Sequence, residues 1–231
     1  MKIDFKNHLG RVTFGPMLGD DDKYIRDLIA EGEHQQQDFK FEITSSRKIA
    51  RTLVAFANTD GGRLLIGVKD NGKISGIRTD EEYYMIEAAA SLYSKPEISF
   101  ESYHRVVEGK TILEITISPS DQKPHYARNE ENRWLAYHRV KDNNFLADYI
   151  LLQVWKRKKR SRGTFIAFSE NEQQVLKLLD TGGLLGLGEI RDQTGFRKKT
   201  LQQILINLVS LQAVKMDFME DKPLFSLEEE Q

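Results

Sequence analysis

The chain has 231 residues, with 34 Lys and Arg against 35 Asp and Glu, a formal net charge of −1. A balance this even excludes attraction to nucleic acid through net charge, so such a partner would have to be held by local patches. There is no cysteine, which excludes a disulfide framework and a cysteine-ligated metal, and the 39% hydrophobic content suits one large or two modest cores.

The opening stretch MKIDFKNHLGRVTFGPM lacks the apolar centre of a secretory signal. No apolar run approaches the roughly 20 residues that span a bilayer. A soluble, cytoplasmic protein without membrane contact is expected. Residues 1–22 read as an irregular lead-in with one short strand at Arg11–Phe14. DDDKYIRDLIAEGE follows, with Tyr24, Ile25, Leu28 and Ile29 at helical spacing, acidic residues at its start and Gly32 as a stop. QQQDFKFEI alternates as a strand does. SSRKIARTLVAFAN predicts a Ser-capped helix burying Ile49, Leu53, Val54 and either Phe56 or Ala57.

That helix breaks at Asn58 into Thr59-Asp60-Gly61-Gly62 and resumes as an apolar strand, Arg63–Val68. Asn58, Gly61 and Gly62 can make either a close-packed corner or a cradle of amides for phosphate. The corner follows a helix C-terminus, whose dipole repels phosphate, and this favours packing. Asp70-Asn71-Gly72 predicts a two-residue type I′ hairpin with KISGI as the partner strand. TDEEYYMIEAAASLYS reads as a Thr-capped helix, EISFESYHRVVEGKTILEITIS as a hairpin about Glu108-Gly109, and PSDQKPHYARNEENR as a polar loop. WLAYHRV is a further strand, and NNFLADYILLQVWKRKK an Asn-capped helix with a basic end.

From Ser169 the pattern changes. SENEQQVLKLLDTGG, LGLGEIRDQTG and RKKTLQQILINLVSLQAV predict three helices, the first of them capped, and VKMDFMEDKPLFSL two strands about a polar turn. Three helices followed by a ribbon is the order of a winged helix-turn-helix. The third helix opens with Arg197, Lys198, Lys199 and Thr200, with Gln202 and Gln203 just inside. Cations at a helix start oppose the helix dipole, so they suggest a partner rather than solubility. Lys and Arg reach phosphates, while Arg and Gln read base edges. The run KRKKRSR, with Lys158, Lys159 and Arg160, reads either as a phosphate-binding stretch or as a solvated linker.

The segments EHQQQDFKFE, KIARTLVAFANTDGGRLLIGVKDNGKISGI, ILEITISPSDQKPHY and LAYHRV together resemble the Schlafen AlbA-like domain family, over about residues 30 to 155. The resemblance implies an α+β sandwich, here followed by a winged helix as in bacterial members described as transcriptional regulators. Some animal Schlafen proteins are ribonucleases with three carboxylates. The matching positions are Glu33, Asp38 and Asp70, which would hold Mg²⁺ or Mn²⁺. Asp38 stands where Glu is usual, one methylene shorter. No Gly-x-x-x-x-Gly-Lys-Ser/Thr motif occurs, so ATP binding finds no support in the residues.

His125 and His138 read as a loop and a strand histidine, and Lys123, His125, Arg128, Arg133 and Arg139 could line a basic face. The expectation is therefore a lead-in at 1–22, a Schlafen AlbA-like α+β domain at 23–160 and a winged helix-turn-helix domain at 165–231. Its expected role is a homodimeric transcriptional regulator binding duplex DNA, with no cofactor. The alternatives are a ribonuclease needing Mg or Mn and acting on RNA, or a nucleotide-binding or protein-interaction module.

Overall fold

A computed structural model describes the backbone of residues 10–12 and the residues 21–159 and 169–228. It divides the chain into two compact units, Met1–Phe145 and Leu146–Gln231.

In the first unit a five-stranded sheet has the order β1-β5-β6-β3-β2. Its strands are β1 (Gly10–Val12), β2 (Gln37–Lys40), β3 (Gly62–Ile66), β5 (Phe100–Val107) and β6 (Lys110–Ile117). The predicted first strand extends to Phe14, which lies outside the described residues. β2 and β3 are parallel, with Gln37 opposite Arg63, and are joined through helix α2 (Ser46–Asn58). β3 and β6 are antiparallel, with Leu64 opposite Ile115. Alternation along β3 sorts side chains to the two faces. Leu64 and Ile66 join α2 and α3 (Glu81–Ser91) in one core, while Leu65 joins α1 (Asp21–Glu31), Phe39 and Val107 in another.

Coverage on both faces explains two departures from the sequence pattern. β2 buries Gln37, Asp38 and Phe39 in succession instead of alternating. Helix α2 is buried nearly all round, from Ile49 to Asn58 with only Arg51 exposed. One side of α2 meets the sheet, and others meet α3 and the strands β7 (Tyr126–Arg128) and β9 (Tyr137–Val140). Each large apolar side chain moved from water contributes about 1.5–3 kcal/mol, so this helix is a principal source of the unit's stability.

Several local expectations need correction. The turn at 69–73 is not type I′: the amide of Gly72 donates to the Lys69 carbonyl at 2.7 Å and only Gly72 of the pair has positive φ. Its partner is a single bridge between Val68 and Ile74, not a strand across KISGI. At α3 Asp80 takes the N-cap position but makes no side-chain cap bond, and the Thr79 hydroxyl accepts from Glu81 N at 3.2 Å. The polar stretch 119–133 contains β7, which pairs with β4 (Ser94–Lys95) and β8 (Trp134–Leu135). NNFLADYILL divides into β10 (Asn143–Leu146), paired with β9, and α4 (Tyr149–Lys158). Asp148, not Asn, caps α4, accepting from Ile150 N at 2.7 Å, because a short carboxylate on extended backbone reaches the orphan amides of the first turn. The expected hairpin about Glu108-Gly109 does form, with positive φ at both residues.

The second unit contains α4, α5 (Glu170–Gly182), α6 (Leu187–Thr194) and α7 (Lys198–Ser210). Its sheet has the order β11-β13-β12, from β11 (Leu185–Gly186), β12 (Val214–Met219) and β13 (Lys222–Leu227). Ile150 and Val154 of α4 share a core with Val175, Ile190, Leu205 and Phe225. Helix α4, assigned from sequence to the preceding domain, thus packs with the C-terminal elements. Among the described residues no helix is long and apolar enough to cross a membrane.

Candidate nucleic-acid interface

Helix α6 ends at Gly195, whose left-handed φ of 71° closes the turn with its amide on the Arg191 carbonyl. Two residues later Arg197 takes the N-cap position of α7, with no side-chain cap bond. Leu201, Ile204, Leu205 and Leu208 of α7 are buried, which fixes the opposite face outward. Arg197, Lys198, Lys199, Thr200 and Gln203 are exposed and Gln202 is half-buried. Gln203 donates to Asn207 Oδ1 at 3.0 Å.

A polar relay holds this helix. Arg157 of α4 donates to Asn207 Oδ1 at 2.7 Å, and Asn207 Nδ2 donates to Glu172 of α5 at 3.0 Å. Glu172 also accepts from the Ser169 hydroxyl and amide in a capping box. Burial pushes the Glu172 carboxyl up, but these bonds outweigh it and leave it below the usual carboxylate value. The sequence predicts a capped helix here, but not that Asn207 and Arg157 would extend the cap into a relay. Lys158 and Lys159 are exposed at the end of α4, and Arg160 lies outside the described residues.

The three carboxylates split. Glu33 accepts from Phe39 N at 2.8 Å and lies 4.0 Å from Lys40 Nζ. Its pKa is raised, chiefly by burial and also by the neighbouring Asp38. Asp38 is 5% exposed and paired with Lys40 at 2.9 Å and Arg139 at 3.4 Å. Asp70 sits exposed in the turn after β3. Among the described residues no three His, Asp or Glu are placed to hold a metal ion. Glu33 and Asp38 are held by an amide and by cations of the chain itself, so the residues present do not fit the metal that the resemblance implies.

The glycine corner packs. The amides of Thr59 and Gly61 both donate to the Phe56 carbonyl, at 3.1 and 2.9 Å, which leaves them no free hydrogen for phosphate. A Cβ on Gly62 would stand 2.3 Å from the Phe56 ring, and one on Gly61 2.6 Å from the Ile117 carbonyl. Asn58 is buried, and its amide joins three backbone groups: His125 N, His125 O and Tyr137 O, at 2.8–2.9 Å. It ties the end of α2 to the chain before β7 and to β9.

The expected basic face also disperses. Arg139 is 1% exposed, lies over the Phe56 ring at 4.8 Å and donates to the carbonyls of His34 and Gln37. His125 and His138 are buried, Lys123 donates to the Thr59 carbonyl, and Arg133 pairs with Glu131. Of the five, Arg128 lines a cleft of about 540 Å³ together with Arg47, Lys48 and Arg51 of α2. The arginines of α2 were missed because they fell on a helix read for its buried side; their i, i+4 spacing was the available signal.

The Schlafen, AlbA_2 family model matches residues 33–148, half of the chain, and the chain belongs to that family. No curated protein matches it. Among solved structures, a protein of Corynebacterium diphtheriae is similar at a TM-score of 0.44 and 16% identity, over 70% of this chain and 38% of its own. The N-terminal domain of a putative ATP-dependent DNA helicase RecG-related protein from Nitrosomonas europaea is similar at 0.38 and 19% identity, over 65% of this chain and 95% of its own. The chain therefore spans well under half the length of the Corynebacterium protein.

Proposed function

We propose that this member of the Schlafen, AlbA_2 family is a nucleic-acid-binding protein, and that it regulates transcription by binding duplex DNA as a homodimer in the cytoplasm. Family membership supports a nucleic-acid partner. The observation that carries the finer reading is the exposed leading turn of α7, where Arg197, Lys198, Lys199 and Thr200 stand together after a helix–glycine–helix turn. The second unit is then a winged helix-turn-helix, with α7 as its recognition helix and the β12–β13 ribbon as its wing. Lys198 and Lys199 hold phosphates, Arg197 and Gln203 reach base edges, and Lys158 and Lys159 add further phosphate binding.

Selection of bound sequences from a random duplex pool tests this reading. Enrichment of a palindrome is expected, because a twofold dimer reads two half-sites. Binding should weaken steeply with salt, and the double variant K198Q/K199Q should lower the slope of log affinity against log salt by about 2, roughly one for each phosphate no longer neutralised. A pool that stays random, or a slope that the double variant leaves unchanged, overturns the assignment of α7.

A further inference from the structure

The first unit holds a cleft of about 540 Å³ on the exposed side of α2, a size usual for small-ligand sites, roughly 300–1,000 Å³. Five cations line it, but they are not equivalent. Lys40 is neutralised by Asp38 at 2.9 Å. Among the described residues Arg47 donates to neutral acceptors, the Asn129 carbonyl and Asn132 Oδ1, both at 2.9 Å, and these leave its charge uncompensated. Lys48 and Arg51 are exposed on the same helix. The Nε–H of Arg128 is buried and finds no acceptor among the described residues. A buried donor without an acceptor costs about 1–3 kcal/mol, which a ligand oxygen would recover.

The guanidinium groups are also held over rings. Arg47 lies 5.0 Å from the Tyr93 centroid, Arg51 5.5 Å from that of Tyr137, and Arg128 5.9 Å from that of Trp134. Arg51 is exposed, so a second planar group can reach its guanidinium from solvent. The same lining carries the carboxylates of Glu130, Glu131 and Asp142, besides Asp38 beside Lys40. Successive phosphates of a long strand would be repelled by them. A single nucleotide would not be, because its hydroxyl or amino hydrogens can donate to a carboxylate while its phosphate takes the cations.

We propose that this cleft binds one phosphorylated nucleoside, with the phosphate on Arg47, Lys48 and Arg128 and the base stacked on Arg51. The source is either a free nucleotide or the 5′-phosphorylated end of a strand. The site is independent of α7 and does not need the second unit to bind DNA.

Calorimetric titration of the full chain distinguishes the cases. Adenosine and guanosine 5′-monophosphate should bind saturably below about 1 mM, the parent nucleosides should not, and the double variant K48Q/R51Q should weaken binding about tenfold or more, as removal of a charge-assisted bond predicts. Both residues are exposed, so the melting temperature should hold. K198Q/K199Q should leave nucleotide binding intact, which separates this site from the DNA reading. A short oligonucleotide that binds only when 5′-phosphorylated identifies a strand end as the source, whereas binding of the free nucleotide alone identifies the small molecule. No binding of any phosphorylated probe, indifference to K48Q/R51Q, or affinity that requires a long strand and ignores its 5′ end each overturns the proposal.

Discussion

Arg139 carries a positive charge into an interior that leaves 1% of it exposed, where it bridges β9 to Asp38 and to the carbonyls of His34 and Gln37. Removing one member of a buried pair typically costs about 3–5 kcal/mol, because the partner charge stays behind. Arg139→Met should fall near the lower end, about 3 kcal/mol by urea denaturation, since Lys40 still faces Asp38 at 2.9 Å. Gly62→Ala places a methyl 2.3 Å from the Phe56 ring and should cost about 1–3 kcal/mol, the usual range for overpacking. Glu33 supplies a pH signature. Its folded pKa is raised by burial and by Asp38, so its contribution to stability is fully present below the unfolded carboxylate value and is lost as pH rises through the higher folded value. Glu33→Gln keeps an acceptor for Phe39 N and should remove that decline. Its melting temperature should match the parent in acid and exceed it at neutral pH.

Helices in the second unit show how sequence signals and tertiary packing combine. Ser169 and Glu172 stand at the spacing of a capping box, and the structure forms it. Ser169→Ala should destabilise the unit by about 1 kcal/mol in chemical denaturation. Glu172 does more than cap, because Asn207 of α7 also donates to it. With its folded pKa depressed, Glu172 contributes stability that is present above the unfolded carboxylate value and disappears as pH falls through the folded one. Glu172→Gln should flatten the acid limb of a stability–pH profile. The misread elements fail for related reasons. The Asn71-Gly72 pair forms a turn, but with positive φ at glycine alone, because Asn71 Oδ1 accepts from Lys73 N at 3.1 Å and holds the local geometry. β7 and β10 escaped notice because short strands in polar sequence are defined by their partners.

Taken as a whole, the chain carries near-zero net charge, and local placement decides which cations are available. Arg139 and Lys198 look alike in sequence, yet one is enclosed and the other exposed. Selection from a duplex pool tests the exposed set, and nucleotide titration tests the cleft. What the sequence determined by itself was local: helix periodicity, the caps at Ser45 and Ser169, the glycine stops, the Glu108-Gly109 hairpin and the motif run that marks the Schlafen, AlbA_2 family. These follow from dihedral preferences and neighbours within a few residues. Only the tertiary structure decided that α4 packs with the C-terminal elements, that Asp38 answers Arg139 across 101 positions, that Glu33, Asp38 and Asp70 do not meet as a metal-holding group, and that Arg47, Lys48, Arg51 and Arg128 share one cleft. Burial and charge pairing depend on which surfaces meet in space, and no spacing along the chain encodes that meeting.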